Sequence, residues 1–332
     1  MSIIIIKPGI FSTVQDLGRT QFLDQAVPVS GVMDQVSARV ANLLVGNDKG
    51  AALIEIVDGN FECTTQADVL MALVSGNAHV EIDNKTVPIN RPLFLPKGSI
   101  IQLKNNIEGR YAYLAIAGGW DVPEVLGSKS TFVTAAFGGI NGRLLKKDDE
   151  LVATQTLSKQ NKLLFQLLKS EMVNWPPWCV PVKQFLSALN SKVRVIMGRE
   201  FDWFQDLSVA EFLTKPYQFT IANRMGYRLK GPKIYRKKSQ QNELLSTAVV
   251  PGTIQVTGDG SLILLMADCQ TTGGYPRLAK VAIVDLPICA QLKPGNAIHF
   301  ELIDLKEAEK LYLDLQSDFK KLAAAIQLKT AL

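Results

Sequence analysis

The sequence predicts a mainly β protein with a few helices, folded as two domains. Three observations carry this. The chain has 332 residues, more than one typical core organises and enough for two. Short runs of β-branched and apolar residues, broken by Gly, Pro, Asn and Asp, dominate both ends. A turn followed by an alternating strand recurs at the same offset, as Leu95-Pro96-Lys97-Gly98-Ser99-Ile100 and as Leu292-Lys293-Pro294-Gly295-Asn296-Ala297. Leu145 to Leu151 is a looser third instance, with Asp149 read as standing where a glycine would sit. The recurrence favours two similar barrels.

The elements follow in order. Met1 to Lys7 carries four isoleucines with no basic segment before them, so it reads as a first strand and not as a secretory leader. Asp34 can cap a helix through about Val45, with Val36, Val40, Leu43 and Leu44 on one side. Val80 to Ile82 and Thr86 to Ile89 flank Asp83-Asn84-Lys85, a hairpin signal because Asp and Asn tolerate positive φ. Thr253 to Val256 and Leu262 to Met266 flank Gly258-Asp259-Gly260 in the same way. Between the halves, Leu163 to Leu189 carries Trp175-Pro176-Pro177-Trp178 and Pro181 and reads as a connector. Ala308, Tyr312, Leu315, Phe319, Leu322 and Ile326 alternate four and three apart, an amphipathic helix expected to pack on its own domain. The expected division is a first barrel at 1–155, a connector at 156–190, a second barrel at 191–304 and a terminal helix at 305–332.

Composition excludes several classes. Hydrophobic residues at 47% and charged residues at 20% rule out disordered or collagen-like chains. The four cysteines form neither a Cys-x-x-Cys pair nor a dense framework, so reduced structural thiols are expected. No apolar stretch approaches the ~20 residues of a membrane span, and a cytoplasmic location with no membrane partner is expected. Much of the net charge of +5 comes from Arg228 to Lys238, which holds six basic residues and no acid. Without interleaved aromatics beyond Tyr235 it does not fit a nucleic acid. It reads as a solvated loop, mobile over Lys233 to Gln241.

The usual catalytic signatures are mostly missing. Only His79 and His299 are available to a metal site or a triad, and no metal site is expected. Gly127-Ser128-Lys129-Ser130 does not meet the spacing of a phosphate loop, and no Ala-Met-Lys-Met-like biotinylation site is present. What remains is polar and glycine-rich. Gln270-Thr271-Thr272-Gly273-Gly274-Tyr275-Pro276 follows an apolar strand, and paired glycines let backbone N–H groups approach an anion. Val14-Gln15-Asp16-Leu17-Gly18-Arg19 and Ala222-Asn223-Arg224-Met225-Gly226-Tyr227-Arg228 combine amide or acid with arginine, whose planar fork suits carboxylate or phosphate and equally suits a structural ion pair.

These segments resemble motifs of the allophanate hydrolase subunit 2 family, also called biotin-dependent carboxyltransferase-like, which includes the C component of 5-oxoprolinase. Val27 to Asp34, Ala41 to Asn47, Ala115 to Gly119, Leu126 to Thr131, Gly138 to Arg143 and Pro251 to Val256 extend the match from about residue 8 to 302. Thr20-Gln21, Phe132 and Cys269 depart from the pattern. The resemblance implies two tandem cyclophilin-like β-barrels. It also implies a partner like allophanate hydrolase subunit 1 or the B component of 5-oxoprolinase, and a third protein of the lactam-utilisation type. The implied reaction is ATP-dependent opening of a small lactam, 5-oxoproline, with ATP and Mg2+ at the level of the complex and no covalent biotin on this chain. On that reading Arg19, Arg143 and Arg224 are candidates to bind phosphate or carboxylate. Gln15, Asn223, Gln255, Gln270, Thr271, Thr272, Gly273, Gly274 and Tyr275 are candidates to line an anion pocket, and Glu243 and Asp285 to act as general bases or magnesium ligands. The chain alone is expected to be inactive. The resemblance equally allows a carboxyltransferase component of a urea-carboxylase-like system, or a non-catalytic regulator of the subunit 1 partner.

Overall fold

A computed structural model describes residues 1–185, 192–240 and 243–331. The fold is mainly β, with five α-helices among the described residues. It divides into two compact units, one of residues 1–19, 34–185 and 317–332, the other of residues 20–33 and 186–316.

The first unit contains β1 (Ser2–Pro8), β2 (Phe11–Gln15), α1 (Gln35–Leu44), β3 (Leu53–Val57), β4 (Phe61–Thr65), β5 (Val69–Val74) and β6 (Asn77–Ile82). It continues with β7 (Lys85–Thr86), β8 (Pro92–Leu95), β9 (Ile100–Glu108), β10 (Tyr111–Ile116), β11 (Glu150–Val152) and α2 (Lys159–Leu168). Two sheets form, in the orders β11-β1-β4-β9-β6-β7 and β2-β3-β10-β5-β8. Ile3, Ile5, Cys63 and Leu103 of one and Ile54, Ile56, Leu73 and Leu114 of the other share a single buried cluster. Every residue of β5 and β10 is buried, because α1 packs against both strands on the face turned away from that cluster.

Local chemistry sets the boundaries. The Asp34 carboxylate accepts the Val36 and Ser37 N–H groups at 2.9 Å each, so α1 starts as expected. Asp83 and Asn84, at φ 50° and 62°, form the turn between β6 and β7, while Lys85 already belongs to the strand. In the recurring turn, Gly98 and Gly295 take φ of 90° and 92°. The third copy is corrected by one residue: Asp148, at φ 69°, stands at the glycine position instead of Asp149.

Residues 156–185 differ from the expected connector. Ser158 and Asn161 form a capping box for α2, Phe165 meets Phe94 edge-on at 5.4 Å, and Asn174 exchanges two backbone hydrogen bonds with Phe94. Ordered caps and ring contacts make this segment part of the first unit. The remainder of the expected connector, residues 186–190, lies outside the described residues.

The second unit contains β12 (Lys192–Met197), α3 (Asp206–Thr214), β13 (Tyr217–Ala222), β14 (Gly226–Lys230), β15 (Thr247–Ala248), β16 (Thr253–Val256) and β17 (Leu262–Leu265). It then adds β18 (Thr272–Gly273), β19 (Arg277–Val281), α4 (Leu286–Gln291) and β20 (Ala297–Leu302). Seven strands close into a barrel, β12-β19-β16-β17-β14-β13-β20, and β12 and β20 join in parallel. Phe212 stacks on Phe300 at 4.6 Å and Phe219 meets Tyr227 at 5.4 Å in its interior. The short strands β15 and β18 pair only with each other, Thr247 opposite Gly273 and Ala248 opposite Thr272. A last helix, α5 (Leu305–Ala331), begins in this unit and ends in the first. Ala308, Leu311 and Leu315 pack on Ala282, Val284 and Ile303. Tyr312, expected on the apolar stripe, is 39% exposed, and Leu311 takes its place.

Candidate functional site

The β15–β18 ribbon stands apart from the barrel sheet, and the segments that flank it, residues 243–244 and 274–276, line a cleft of about 580 Å3 in the second unit. Glu243, Leu244, Gly274 and Tyr275 line it from the ribbon side, and Tyr235, Arg236, Lys238 and Thr257 complete it. Three residues singled out in the sequence, Glu243, Gly274 and Tyr275, are therefore brought together. The wall is held from beneath. The buried Gln255 amide donates to the Tyr275 carbonyl at 3.2 Å, and the Arg277 guanidinium grips the Glu200 carboxylate while reaching the Ala248 carbonyl at 3.0 Å. Thr271 is buried and its carbonyl accepts the Val249 N–H, whereas Gln270 and Thr272 are exposed, and none of the three lines the cleft.

Gly273 and Gly274 are not left-handed. What Gly273 provides is space, since a Cβ there would lie 2.7 Å from the Gln255 amide nitrogen and 3.5 Å from that of Gln270. The cleft thus offers a carboxylate, a half-exposed phenol, backbone polar groups and two cations around a volume suited to a small polar molecule.

The basic stretch is pinned, in contrast to the unanchored loop expected. Lys233 donates to Asp259 and Ser261 at 2.6 Å each. The Tyr235 N–H reaches the Ser208 hydroxyl, and the Lys237 N–H reaches the Trp203 carbonyl. Lys233, with Thr257 and Ser261, holds the Asp259 carboxyl well below the usual carboxylate range. Gln241, the end of that stretch, lies outside the described residues.

The arginines expected at a substrate site are committed elsewhere. Arg19 is buried, donates to the Ser130 carbonyl at 2.5 Å and lies 4.8 Å over the Phe137 ring. Beside it, the Asp16 carboxylate accepts from the Ser128 and Ser130 hydroxyls at 2.6 and 2.5 Å and from the Lys129 and Gly18 N–H groups. Gln15 donates to Thr13 and to the Thr131 carbonyl. A Cβ at Gly138 would fall 2.0 Å from the Ser130 carbonyl oxygen, so the glycine lets the chain close over this node. Arg143 grips Asp149 with both arms at 2.7 and 2.8 Å, which raises the guanidinium and lowers the carboxyl. Arg224 grips Asp268 at 2.8 and 3.0 Å and also reaches the Gly31 carbonyl. Asp285, expected as a base or metal ligand, is 1% exposed and is bound by both arms of Arg194. Asn223 closes a local turn by accepting the Met225 and Gly226 N–H groups. Arg19, Arg143, Arg224 and Asp285 are thus engaged by structural partners, and Asn223 by its own turn.

Lys129 donates its N–H to Asp16 and its ammonium to the Trp120 carbonyl. Gly127 to Ser130 therefore does not fit the phosphates of a nucleotide. Among the described residues no group of three His, Cys, Asp or Glu side chains is placed to hold a metal. Cys63, Cys269 and Cys289 are buried and Cys179 is exposed. Burial, reinforced by Asp268, pushes the Cys269 thiol up to about 12, and burial raises Cys63 and Cys289 as well. Sequence reasoning missed Arg277 and Glu200; the signal available was an arginine directly following Tyr275-Pro276.

Residues 25–302 match the family of the carboxyltransferase domain, subdomain A and B. The chain is 38% identical to the C component of 5-oxoprolinase from Escherichia coli (strain K12), over 96% of this chain and 97% of that protein. It is 31% identical to urea amidolyase of Saccharomyces cerevisiae over 92% of this chain, which spans only 17% of that protein. Among solved structures, the K. lactis urea amidolyase superposes with a TM-score of 0.86 at 29% identity, over 97% of this chain and 20% of that one.

Proposed function

Since the chain belongs to the family of the carboxyltransferase domain, subdomain A and B, we propose that it serves as the C component of an ATP-dependent 5-oxoprolinase complex that opens 5-oxoproline to L-glutamate. The observation that carries this reading is the two-way coverage, 96% of this chain against 97% of a 5-oxoprolinase C component at 38% identity. Its partners are a B-component homologue of the allophanate hydrolase subunit 1 type and a third protein of the lactam-utilisation type. The burial of three free thiols fits a reducing compartment, and the cytoplasm is the proposed location.

A lactam resists hydrolysis because resonance stabilises the amide. ATP with Mg2+, at the level of the complex, supplies the driving force by phosphorylating the carbonyl oxygen before water attacks. This chain's part is played in the second-unit cleft. Lys238 and Arg236 attract the substrate carboxylate, Tyr275 offers its hydroxyl, and Glu243 is positioned to accept a proton from water. Backbone groups at Gly274 line the same wall.

The test is reconstitution with the two partner proteins and measurement of 5-oxoproline-dependent ATP hydrolysis. Turnover by the three proteins together and none by this chain alone is the expected result. Robust turnover by the isolated chain, or none by the assembled complex, overturns the reading. The similarity to urea amidolyase at TM-score 0.86 favours a carboxyltransferase as the second reading, tested by the same assay with a biotin carboxylase and its carrier in place of the lactam-utilisation type protein.

A further inference from the structure

Along β14 the exposed Arg228 and Lys230 alternate with the buried Tyr227 and Leu229, so both cations leave the barrel on one face. They border a second cleft of about 670 Å3, which shares Thr257, Gly258 and Tyr275 with the first. Charge in the two lobes is one-sided. Arg236 and Lys238 face Glu243 in the first, and Arg228, Lys230 and Lys233 face Asp259 in the second. The Lys233 and Asp259 charges offset each other at 2.6 Å. Among the described residues the Arg228 and Lys230 side chains have no ion-pair partner.

We propose that the second lobe is a subsite for a phosphate group. Cations two residues apart on one strand face stand about 6.6 to 7 Å apart at their Cα atoms. Two flexible cationic side chains at that spacing can both reach oxygens of one tetrahedral anion. A carboxylate, by contrast, is saturated by a single planar fork. Unpaired cations in a concave surface also cost nothing in broken ion pairs when an anion arrives, unlike Arg143, Arg224 or Arg277. The role of this lobe in the reaction rests on the oxoprolinase reading: Tyr275 then divides a phosphorylated small substrate, its carboxylate in the first lobe and its phosphate in the second. Phosphate binding itself does not rest on that reading.

The experiment is titration of the purified full chain with inorganic pyrophosphate, followed by amide NMR and calorimetry at low and high salt. Saturable binding that perturbs residues 228–233 and 257–261 and weakens with salt is expected. The Arg228→Ala/Lys230→Ala variant is expected to bind about tenfold more weakly or worse, as removal of charge-assisted hydrogen bonds requires. Should that variant melt early, Arg228→Gln/Lys230→Gln removes charge while keeping side-chain length. No saturable binding, or binding unchanged in a folded variant, overturns the subsite. Displacement of pyrophosphate by acetyl phosphate identifies a phosphorylated small substrate as the occupant, and displacement by ATP alone identifies the nucleotide. Displacement by neither overturns a role in the reaction. Because the titration needs no partner, failure of the reconstituted turnover leaves its outcome intact and separately readable.

Discussion

Arg277 and Glu200 form a two-armed ion pair, Nε to Oε2 at 2.8 Å and Nη2 to Oε1 at 2.6 Å, while the third guanidinium nitrogen holds the Ala248 carbonyl. One side chain therefore fixes the barrel strand β19 to the ribbon strand β15. Arg277→Lys keeps the charge and loses the fork. It is expected to cost about 1 to 2 kcal/mol of stability. Turnover of the assembled complex is expected to fall about 100-fold through misplacement of the cleft wall. Chemical denaturation and the activity assay check the two effects separately; unchanged turnover in the folded variant removes the clamp from the mechanism.

The same pair makes stability depend on pH. Burial alone would raise the Glu200 carboxyl, but the Arg277 hydrogen bonds hold it below its ordinary value. The contribution is thus fully present above the unfolded carboxyl value of about 4.3 and is lost as pH falls through the depressed folded value. Melting in acid should show the wild type losing stability over this window more steeply than Glu200→Gln.

Glu243 stands in the cleft with Tyr275 and Gly274. Glu243→Gln keeps size and removes the base, so turnover of the complex is expected to drop about 100-fold or more. Melting temperature and co-elution with the partner should not change. Near-normal turnover would place the base on another residue or another protein of the complex.

Gly273→Val places a Cβ against the Gln255 amide, 2.7 Å away, and so pushes that amide off the Tyr275 carbonyl. The backbone at Gly273 is not left-handed, which spares the fold the strain of a positive-φ substitution. Turnover is expected to fall with both domains folded. Gln255→Ala should fall similarly, and the double variant should not fall further, since both act on one contact.

Asp16→Ala removes the acceptor shared by the Ser128 and Ser130 hydroxyls and two N–H groups. A loss of about 3 kcal/mol is expected from these orphaned groups, seen as a lower denaturation midpoint. Activity at low temperature should survive, because this node lies in the first unit and the cleft in the second.

Much of the fold was legible because its signals are local. Asp34 caps a helix whose N–H groups lie two and three residues on, and Asp83-Asn84 supplies both positive φ values of its own turn. The shift from Asp149 to Asp148 shows the limit, since two adjacent aspartates both tolerate that backbone. Glu243, Gly274 and Tyr275, singled out by residue type, line one cleft. Arg224, Arg19 and Asp285 were misassigned because their partners lie 44, 111 and 91 residues away. An arginine looks the same in sequence whether a substrate or a buried carboxylate awaits it. Arg277 was missed for the same reason in reverse.

Burial of Cys63, Cys269 and Cys289 leaves Cys179 as the one exposed thiol of the chain. A thiolate must be both formed and reached to react, and the three buried sulfurs are hindered on both counts. A maleimide dye applied to the native protein should therefore attach in one-to-one stoichiometry at Cys179, on the segment held against the Phe94 strand of the first unit. That turns an ordinary surface cysteine into a built-in attachment point for a fluorescent reporter, and assembly of the complex becomes measurable by anisotropy on the wild-type chain without engineering any residue.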